Sequence, residues 1–364
     1  MELVFDHLER LTDERGLFEH ALGGEPRPEH GYCLDDVARA LVVVCREPRP
    51  GPTVQRLAHC YLDFTLAALQ SDGNCHNRMN TDGQWTDTPA LGDWWGRALW
   101  GLGVAAAQVP TRAMRARALL GFRTAARNRS PFLRSMAFAA LGAGELLLER
   151  AEEVSARSLL RDAVKTIGGH GTGRSTRPNR GVATGAGAST GSGRAGPYEP
   201  EMISAWPWPE ERLAYGNGSI VEALLLAGVT LPDPAAHALG LELLTFLLRA
   251  QTHDGHLSVV PAGGRGTKDA VPGFDQQPIE VAALAGACAR AYQLTADPCW
   301  LDGVRMAWAW FLGDNDSETP MSDPATGAGF DGLQEVGCNL NQGAESTLAM
   351  LSTAQHARSL GVIE

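Results

Sequence analysis

The chain has 364 residues, of which 44% are hydrophobic and 20% are charged. This composition is typical of a soluble globular protein and provides enough core for one large domain or two ordinary ones. Its 31 Lys and Arg residues are outnumbered by 42 Asp and Glu residues, which gives a formal net charge of −11. Because no basic block could neutralise a run of phosphates, we expect no nucleic-acid partner.

The seven cysteines are scattered, odd in number and free of any CxxC pair. This pattern predicts reduced thiols in a cytoplasmic protein rather than a disulfide framework or a zinc site. The first residues carry acids where a signal peptide needs a basic region. No segment reaches about 18 uninterrupted apolar residues, so we expect no membrane association.

The first half of the chain predicts three pairs of helices. The sequence predicts amphipathic helices, each with one solvent-exposed face, over residues 3–11, 53–70 and 111–128. Each is followed by a loop and then by a helix that is apolar nearly all round, beginning near Leu34, Asp93 and Pro131. The third of these loops is short, so we expect it to hold little chemistry.

The second half repeats the arrangement with amphipathic helices over residues 151–167, 235–251 and 298–312. Their apolar partners begin near Asn217, Pro278 and Glu345. A Gly-rich, low-complexity segment at about 168–196 separates the outer helix of the fourth pair from its inner helix. That composition buries too little apolar surface to order itself well, so we interpret it as a flexible insertion.

Two kinds of helix alternate along the chain. In the amphipathic kind, apolar residues recur at helical spacing, as Leu57, Tyr61, Phe64 and Ala68 do. The other kind, rich in Ala, Gly, Val and Leu, suits a helix surrounded by other helices. Six outer-inner pairs that close on themselves predict an all-α (α/α)6 toroid, a single domain over residues 1–364. A superhelical α-solenoid is the alternative, but its repeats rarely carry such long polar loops on one side.

In a toroid of this kind, the loops that lead from outer to inner helices gather at one end. The first turns of the inner helices therefore face one funnel, and we predict that acids placed there act as general acid and general base. The sequence does not say which is the acid and which the base. The candidate catalytic residues are Asp36, Asp93, Glu280 and Glu345.

Polar and aromatic residues in the same loops and first turns are predicted to bind substrate. Aromatic rings stack on the C–H faces of sugars, while Asp, Asn, Gln and Arg side chains bind hydroxyl groups. The candidates are His30, Tyr32, Asp35, Trp94, Trp95, Arg97, Trp208, Tyr215, Asn217, Asp275, Gln276, Gln277, Asp331, Asn341 and Gln342.

Each candidate also has a structural interpretation. An acid in a first turn is stabilised by the helix dipole by about 0.3–1 kcal/mol whatever its function. Asp35 and Asp36 point about 100° apart on a helix, so one of them caps or braces while the other faces the funnel. The ten histidines have no HExxH spacing, and only His30, His253 and His256 lie in loops of interest. We therefore expect neither a metal nor another cofactor.

Six segments of the chain carry a family resemblance: GYCLDDVARAL, GRALWGLG, WPWPEERLAYGN, FDQQPIE, TGAGFDGL and NLNQGAESTLAML. They resemble the α-helical toroid domain found alone or fused behind bacterial retaining-type glycosyltransferase modules. The resemblance spans nearly the whole chain outside residues 168–196. This chain has Gly92 where the family usually has an acid, and Gly216 where it has an aspartate.

The resemblance implies a carbohydrate-processing toroid, related in architecture to inverting glycoside hydrolases and sugar epimerases. It also implies an oligosaccharide or glycoside substrate, with a separate glycosyltransferase as a second partner. We therefore predict a glycoside hydrolase, with inversion favoured. Its protonated carboxyl and its carboxylate would lie about 6.5–9.5 Å apart.

Three other functions stay open at this point. A sugar epimerase or isomerase on the same scaffold would abstract a proton beside a carbonyl and normally needs histidines, where this chain has acids. A non-catalytic domain that binds glycan and partners a glycosyltransferase would explain Gly92 and Gly216. A toroidal terpene cyclase would need an aspartate-rich motif in an apolar cavity, and the loops here are too polar.

Overall fold

The computed structural model describes residues 3–109, 111–171 and 206–363. Within these residues it contains twelve α-helices, which we number in chain order. They are α1 (Asp6–Arg10), α2 (Leu34–Cys45), α3 (Pro52–Ala68), α4 (Asp93–Gln108), α5 (Arg112–Ala125), α6 (Leu133–Glu149), α7 (Val154–Gly171), α8 (Asn217–Thr230), α9 (Pro234–Ala250), α10 (Pro278–Thr295), α11 (Pro298–Leu312) and α12 (Ala344–Ser359).

Short strands occur in the loops, where they form five antiparallel pairs of two residues each. The pairs are β1 (Ala21–Leu22) with β2 (Glu25–Pro26), β3 (Tyr32–Cys33) with β4 (Arg78–Met79), β5 (Thr252–His253) with β6 (His256–Leu257), β7 (Ser322–Asp323) with β8 (Ala328–Gly329), and β9 (Gly332–Leu333) with β10 (Cys338–Asn339). A 3-10 helix covers Pro28–His30.

The even-numbered helices form a closed inner ring. They contact one another in the order α2, α4, α6, α8, α10, α12 and back to α2. Helices α3, α7, α9 and α11 each pack outside the ring against the even-numbered helices before and after them. Helix α5 packs against α4 and α3, and the short α1 packs on α12. The predicted (α/α)6 toroid is thereby confirmed.

The inner helices are apolar because their neighbours bury them on every side. In α6 every residue from Leu133 to Leu147 is buried. The outer helix α3 instead buries one stripe that includes Val54, Leu57, Tyr61 and Phe64. These two burial patterns match the two kinds of hydrophobic periodicity in the sequence.

The predicted helix bounds differ from the structure by up to about four residues, and two of these differences involve other segments of the chain. The first helix covers only Asp6–Arg10. Val4, just before it, lies against Gly327, and the amide of His7 donates to the carbonyl of Thr326. Helix α7 ends at Gly171, which is inside the segment predicted to be an insertion. Residues 172–196 of that segment lie outside the described residues. No helix among the described residues is long and apolar enough to cross a membrane.

Glycines allow α4 and α6 to approach each other closely. A Cβ atom on Gly142 would lie 2.1 Å from the carbonyl oxygen of Leu99, whereas one on Gly168 would meet nothing within 4 Å. We expect Gly142→Ala to lower the free energy of unfolding by about 1–3 kcal/mol, because the backbones must separate. The matched change Gly168→Ala should raise it by about 0.5–1 kcal/mol. Chemical denaturation measures both, and equal effects would contradict the close packing.

Candidate active site

The first two turns of the inner helices and the loop before α8 carry a connected set of polar side chains, which we call the polar crown. Its members come from all six inner helices, and hydrogen bonds, ion pairs or ring contacts join them from α12 round to α10. They are Asp35, Asp36, Arg39, Asp93, Arg97, Arg134, Ser135, Tyr215, Asn217, Glu280 and Glu345.

One half of the polar crown is centred on Arg39. Its guanidinium pairs with Asp35 at 3.1 Å, with Glu345 at 2.8 Å and with the neighbouring Asp36 in a short contact. Arg97 pairs with Asp35 at 2.8 Å. Two guanidinium groups therefore face three carboxyl groups.

Asp36 is the least exposed of these three carboxyl groups. Its side chain is 4% exposed, against 21% for Asp35 and 40% for Glu345. Burial raises the pKa of Asp36 to about 7, although the positive charge of Arg39 acts in the opposite direction. One carboxyl group of the three therefore lacks a matching cation.

The other half of the polar crown begins at Asp93. One carboxylate oxygen accepts a hydrogen bond from the Ser135 hydroxyl at 2.6 Å, and the other accepts a short one from the Tyr215 hydroxyl. Burial and the neighbouring Asp93 raise the pKa of Tyr215, so its hydroxyl is a proton donor at neutral pH. The Tyr215 side chain is 42% exposed and lies over the Arg134 guanidinium, 4.9 Å from the ring centroid.

Arg134 fixes the loop before α8 to the start of α6. Its guanidinium donates two hydrogen bonds to Glu210, at 2.6 and 2.8 Å, and one to the Tyr215 carbonyl at 2.5 Å. It also donates to the side-chain oxygen of Asn217 at 3.2 Å. The amide nitrogen of Asn217 then donates to Glu280 Oε2 at 2.8 Å.

Glu280 is buried, at 2% exposure, and its Oε1 atom has no hydrogen-bond partner among the described residues. Burial raises the pKa of Glu280 to about 7, although the hydrogen bond from Asn217 and the charge of Arg134 lower it. A protonated Glu280 is therefore well populated at neutral pH. In the order of the inner ring, α10 and α4 are three places apart, so Glu280 and Asp93 belong to opposite sides.

A narrow cavity of about 50 Å³ lies inside the inner ring and is lined by residues of all six inner helices. Arg39, Arg97 and Phe138 line it near the polar crown, and Arg46 and His356 line it toward the other end. The Arg97 guanidinium lies 4.0 Å from the centroid of the Phe138 ring. The residues that line this cavity include none of the four predicted catalytic acids, which are instead in the crown around Arg39, Arg97 and Arg134.

Three aromatic residues predicted to bind substrate are core residues in this structure. Tyr32 is 1% exposed, Trp95 0% and Trp208 2%. The Tyr32 hydroxyl donates to Asp13 at 2.6 Å, and the Trp95 indole donates to the carbonyl of Ala125 at 3.3 Å. With their faces packed, these rings cannot stack on a ligand in this structure. Trp94 is partly buried.

Several predicted polar ligands instead hold loops together. Gln276 is fully buried and bonds to the amide of Val259, at 3.3 Å, as well as to Asp316. Asp331 accepts hydrogen bonds from Ser346 and from the amide of Gly343, both at 2.8 Å. In this structure, these side chains therefore join loop segments to one another.

The other predicted polar residues lie in the loops before α2, α10 and α12. Asn341 accepts a hydrogen bond from the amide of Gly23 at 3.0 Å, and the carbonyl of Gln342 bonds to His7 at 2.8 Å. Asp275 and His30 are exposed, and Gln277 is partly buried at the N-cap of α10.

Of the three arginine residues that organise the crown, the sequence analysis named Arg97 but missed Arg39 and Arg134. Arg39 follows Asp35 and Asp36 by four and three residues, a spacing that places all three on one helix face. That spacing could have identified Arg39 as a site residue. Arg134 could have been identified by its place in the first turn of a largely apolar helix, but its partner Glu210 is 76 residues away and no local pattern connects them.

No protein-family model and no curated protein matches this sequence. Solved structures do match. A sugar epimerase from a ruminal bacterium has a TM-score of 0.70 at 12% identity and covers 100% of this chain and 97% of its own. Cellobiose 2-epimerase from Spirochaeta thermophila has a TM-score of 0.62 at 14% identity, with 98% and 94% covered.

The cellulase Cel9M of C. cellulolyticum, in complex with cellobiose, has a TM-score of 0.59 at 10% identity, with 95% of this chain and 88% of that chain covered. These identities are low, so the likeness shows the fold alone. The chain has the (α/α)6 fold of these sugar epimerases and cellulases.

Proposed function

We propose that this protein is a glycoside hydrolase, with Glu280 as its general acid and Asp93 as its general base. The observation that carries the proposal is Glu280 itself, a buried carboxyl group with an unpartnered Oε1 atom and a raised pKa. A general acid needs a pKa near the working pH, so that it is protonated yet able to give up its proton.

The mechanism needs one carboxyl group on each side of the scissile bond. Glu280 Oε1 would donate its proton to the glycosidic oxygen as the bond to the anomeric carbon breaks. Asp93 would take a proton from a water molecule that attacks the same carbon from the opposite face, which inverts the configuration. The bonds from Ser135 and Tyr215 would hold the Asp93 carboxylate in place during that step.

The rest of the polar crown is suited to sugar hydroxyl groups. Asp35 and Glu345 are the more exposed acids beside Arg39 and offer acceptors for hydroxyl hydrogens. Tyr215 offers an exposed ring to a sugar face, and Arg97 lines the cavity beside it. A glycan end that enters from this side would meet acceptors, donors and an aromatic surface together.

A sugar epimerase is the second candidate function, and one observation favours it. His20 and His30 form an edge-on pair with ring centroids 4.9 Å apart, and both side chains are about half exposed. Two imidazoles so placed could remove and return a proton beside a carbonyl group. Structural neighbours named a sugar epimerase and a D-mannose isomerase share the fold.

Isotope incorporation distinguishes the two functions. We expect mannose-, glucose- or arabinose-based oligosaccharides to release sugar whose anomeric hydroxyl carries ¹⁸O when the reaction runs in H₂¹⁸O. An epimerase would instead introduce deuterium from D₂O at the carbon beside the carbonyl of a free reducing sugar, with no bond cleaved. Binding of a glycan without either reaction would replace both proposals with a glycan-binding domain that serves a separate glycosyltransferase.

A further inference from the structure

A two-residue hairpin at the end of α9 places two histidines side by side. His253 and His256 are paired residues of β5 and β6, joined by Asp254 and Gly255. Both joining residues have positive φ, 48° and 89°, as a type I′ turn requires. Directly opposed residues of an antiparallel pair point to the same face, so both imidazoles lie on one side of the hairpin.

A carboxylate from another loop meets these two rings. The Oδ1 atom of Asp316, in the loop after α11, lies 3.0 Å from His256 Nε2 and 3.6 Å from His253 Nδ1. All three atoms lie within 4.8 Å of one another. Ligands at about 2.0–2.1 Å from a tetrahedral zinc ion are about 3.3–3.4 Å apart, so these separations bracket the ones that such a site needs.

The Asp316 side chain is 2% exposed, yet no lysine or arginine nitrogen of the described residues lies within 4.0 Å of it. A buried carboxylate without a cationic partner is costly. Arg265 acts on Asp316 from further away, but its guanidinium is held by the carbonyls of Ala250, Ser258 and Val259. A divalent cation beside Oδ1 would supply the positive charge that no lysine or arginine of the described residues supplies at contact distance.

The second carboxylate oxygen is already oriented. Gln276 Nε2 donates to Asp316 Oδ2 at 2.5 Å, which leaves Oδ1 facing the two imidazoles. Fixed metal ligands typically have an outer partner of this kind. The His253 and His256 side chains are 28% and 18% exposed, so water can reach the face of the site that the protein leaves open.

We propose that His253, His256 and Asp316 bind a zinc ion, with water as the fourth ligand. The imidazole and carboxylate donor set suits this ion. The zinc would join the β5–β6 hairpin to the loop after α11 and, through Gln276, would fix the residues that lead into α10. The proposal does not rest on the proposed hydrolase function, and it replaces the expectation of no metal that the histidine spacing gave.

The test uses the full chain without a histidine tag, first stripped of metal. Titration with Co²⁺ should give the intense visible absorption of a tetrahedral site, and Zn²⁺ should abolish it at one equivalent. Isothermal titration should show one Zn²⁺ site, weakened more than about 100-fold in His256→Gln or Asp316→Asn and about 10–100-fold in Gln276→Ala. Zn²⁺ should also raise the melting temperature of the parent but not that of His256→Gln.

His76 provides the matched control, because it contacts one carboxylate, Asp87 at 3.2 Å, and belongs to no histidine cluster among the described residues. The His76→Gln variant should bind Zn²⁺ and Co²⁺ as the parent does. Two results would overturn the proposal. One is equal Zn²⁺ affinity in the parent and in folded His256→Gln and Asp316→Asn variants, and the other is a Co²⁺ signal that disappears with His76 rather than with His256.

Discussion

Glu280→Gln should lower the turnover of the released sugar by about 10²–10⁴, because the variant cannot donate a proton to the leaving oxygen. The melting temperature should stay near that of the parent, since the amide fits the same buried space and can still accept the hydrogen bond from Asn217. Initial rates on the oligosaccharide that the parent cleaves, together with thermal unfolding, measure the two effects.

The pH dependence gives an independent check on Glu280. Its folded-state pKa, about 7, is above the ordinary value of 4.5, so the folded protein holds this proton between the two values while the unfolded chain releases it. The free energy of unfolding should therefore fall as pH rises from about 4.5 to about 7, and turnover should fall as pH rises through about 7. Glu280→Gln should show a flatter stability profile. Asp36 contributes in the same direction, because its pKa is also raised.

Glu211→Gln is the control variant, because it makes the same glutamate-to-glutamine change at an exposed position in the loop before α8. It should keep parental turnover and a parental pH profile. If Glu280→Gln keeps more than about a tenth of parental turnover, Glu280 is not the general acid. The role would then pass to Asp36, the other crown carboxyl group with a raised pKa.

Arg39→Met should lower the free energy of unfolding by about 3–5 kcal/mol at pH 7. The change removes a buried guanidinium and leaves Asp36 and Glu345 without their ion-pair partner. The loss should shrink as pH falls, because a protonated carboxyl group no longer needs the cation. Chemical denaturation at several pH values measures both the loss and its recovery.

The exposed pair of Arg56 and Glu9, 2.7 Å apart with side chains about half exposed, is the matched control. Arg56→Met should change the free energy of unfolding by less than about 1 kcal/mol, with no recovery at low pH. Similar losses for the two arginine variants would show that Arg39 is not compensating buried charge.

The sequence by itself determined the fold and the end at which polar residues gather. Hydrophobic periodicity is a local property, and the contrast between the stripe of α3 and the all-round apolar surface of α6 is sufficient to separate outer from inner helices. Closure of six pairs then places Asp36, Asp93, Glu280 and Glu345 in first turns at one end. Helix starts follow from local signals, so these positions needed no tertiary information.

Only the tertiary structure decided how deeply each of those side chains is buried and which partners it contacts. Glu280 and Glu345 both lie in the first turn of an inner helix, yet one is buried beside Asn217 and the other is 40% exposed beside Arg39. Trp95 is fully buried in the core, because burial depends on how neighbouring helices pack. Partners such as Arg134 with Glu210, or His256 with Asp316, are 76 and 60 residues apart. Charge compensation, protonation and metal-ligand geometry arise from such contacts between distant segments, which local sequence patterns do not record.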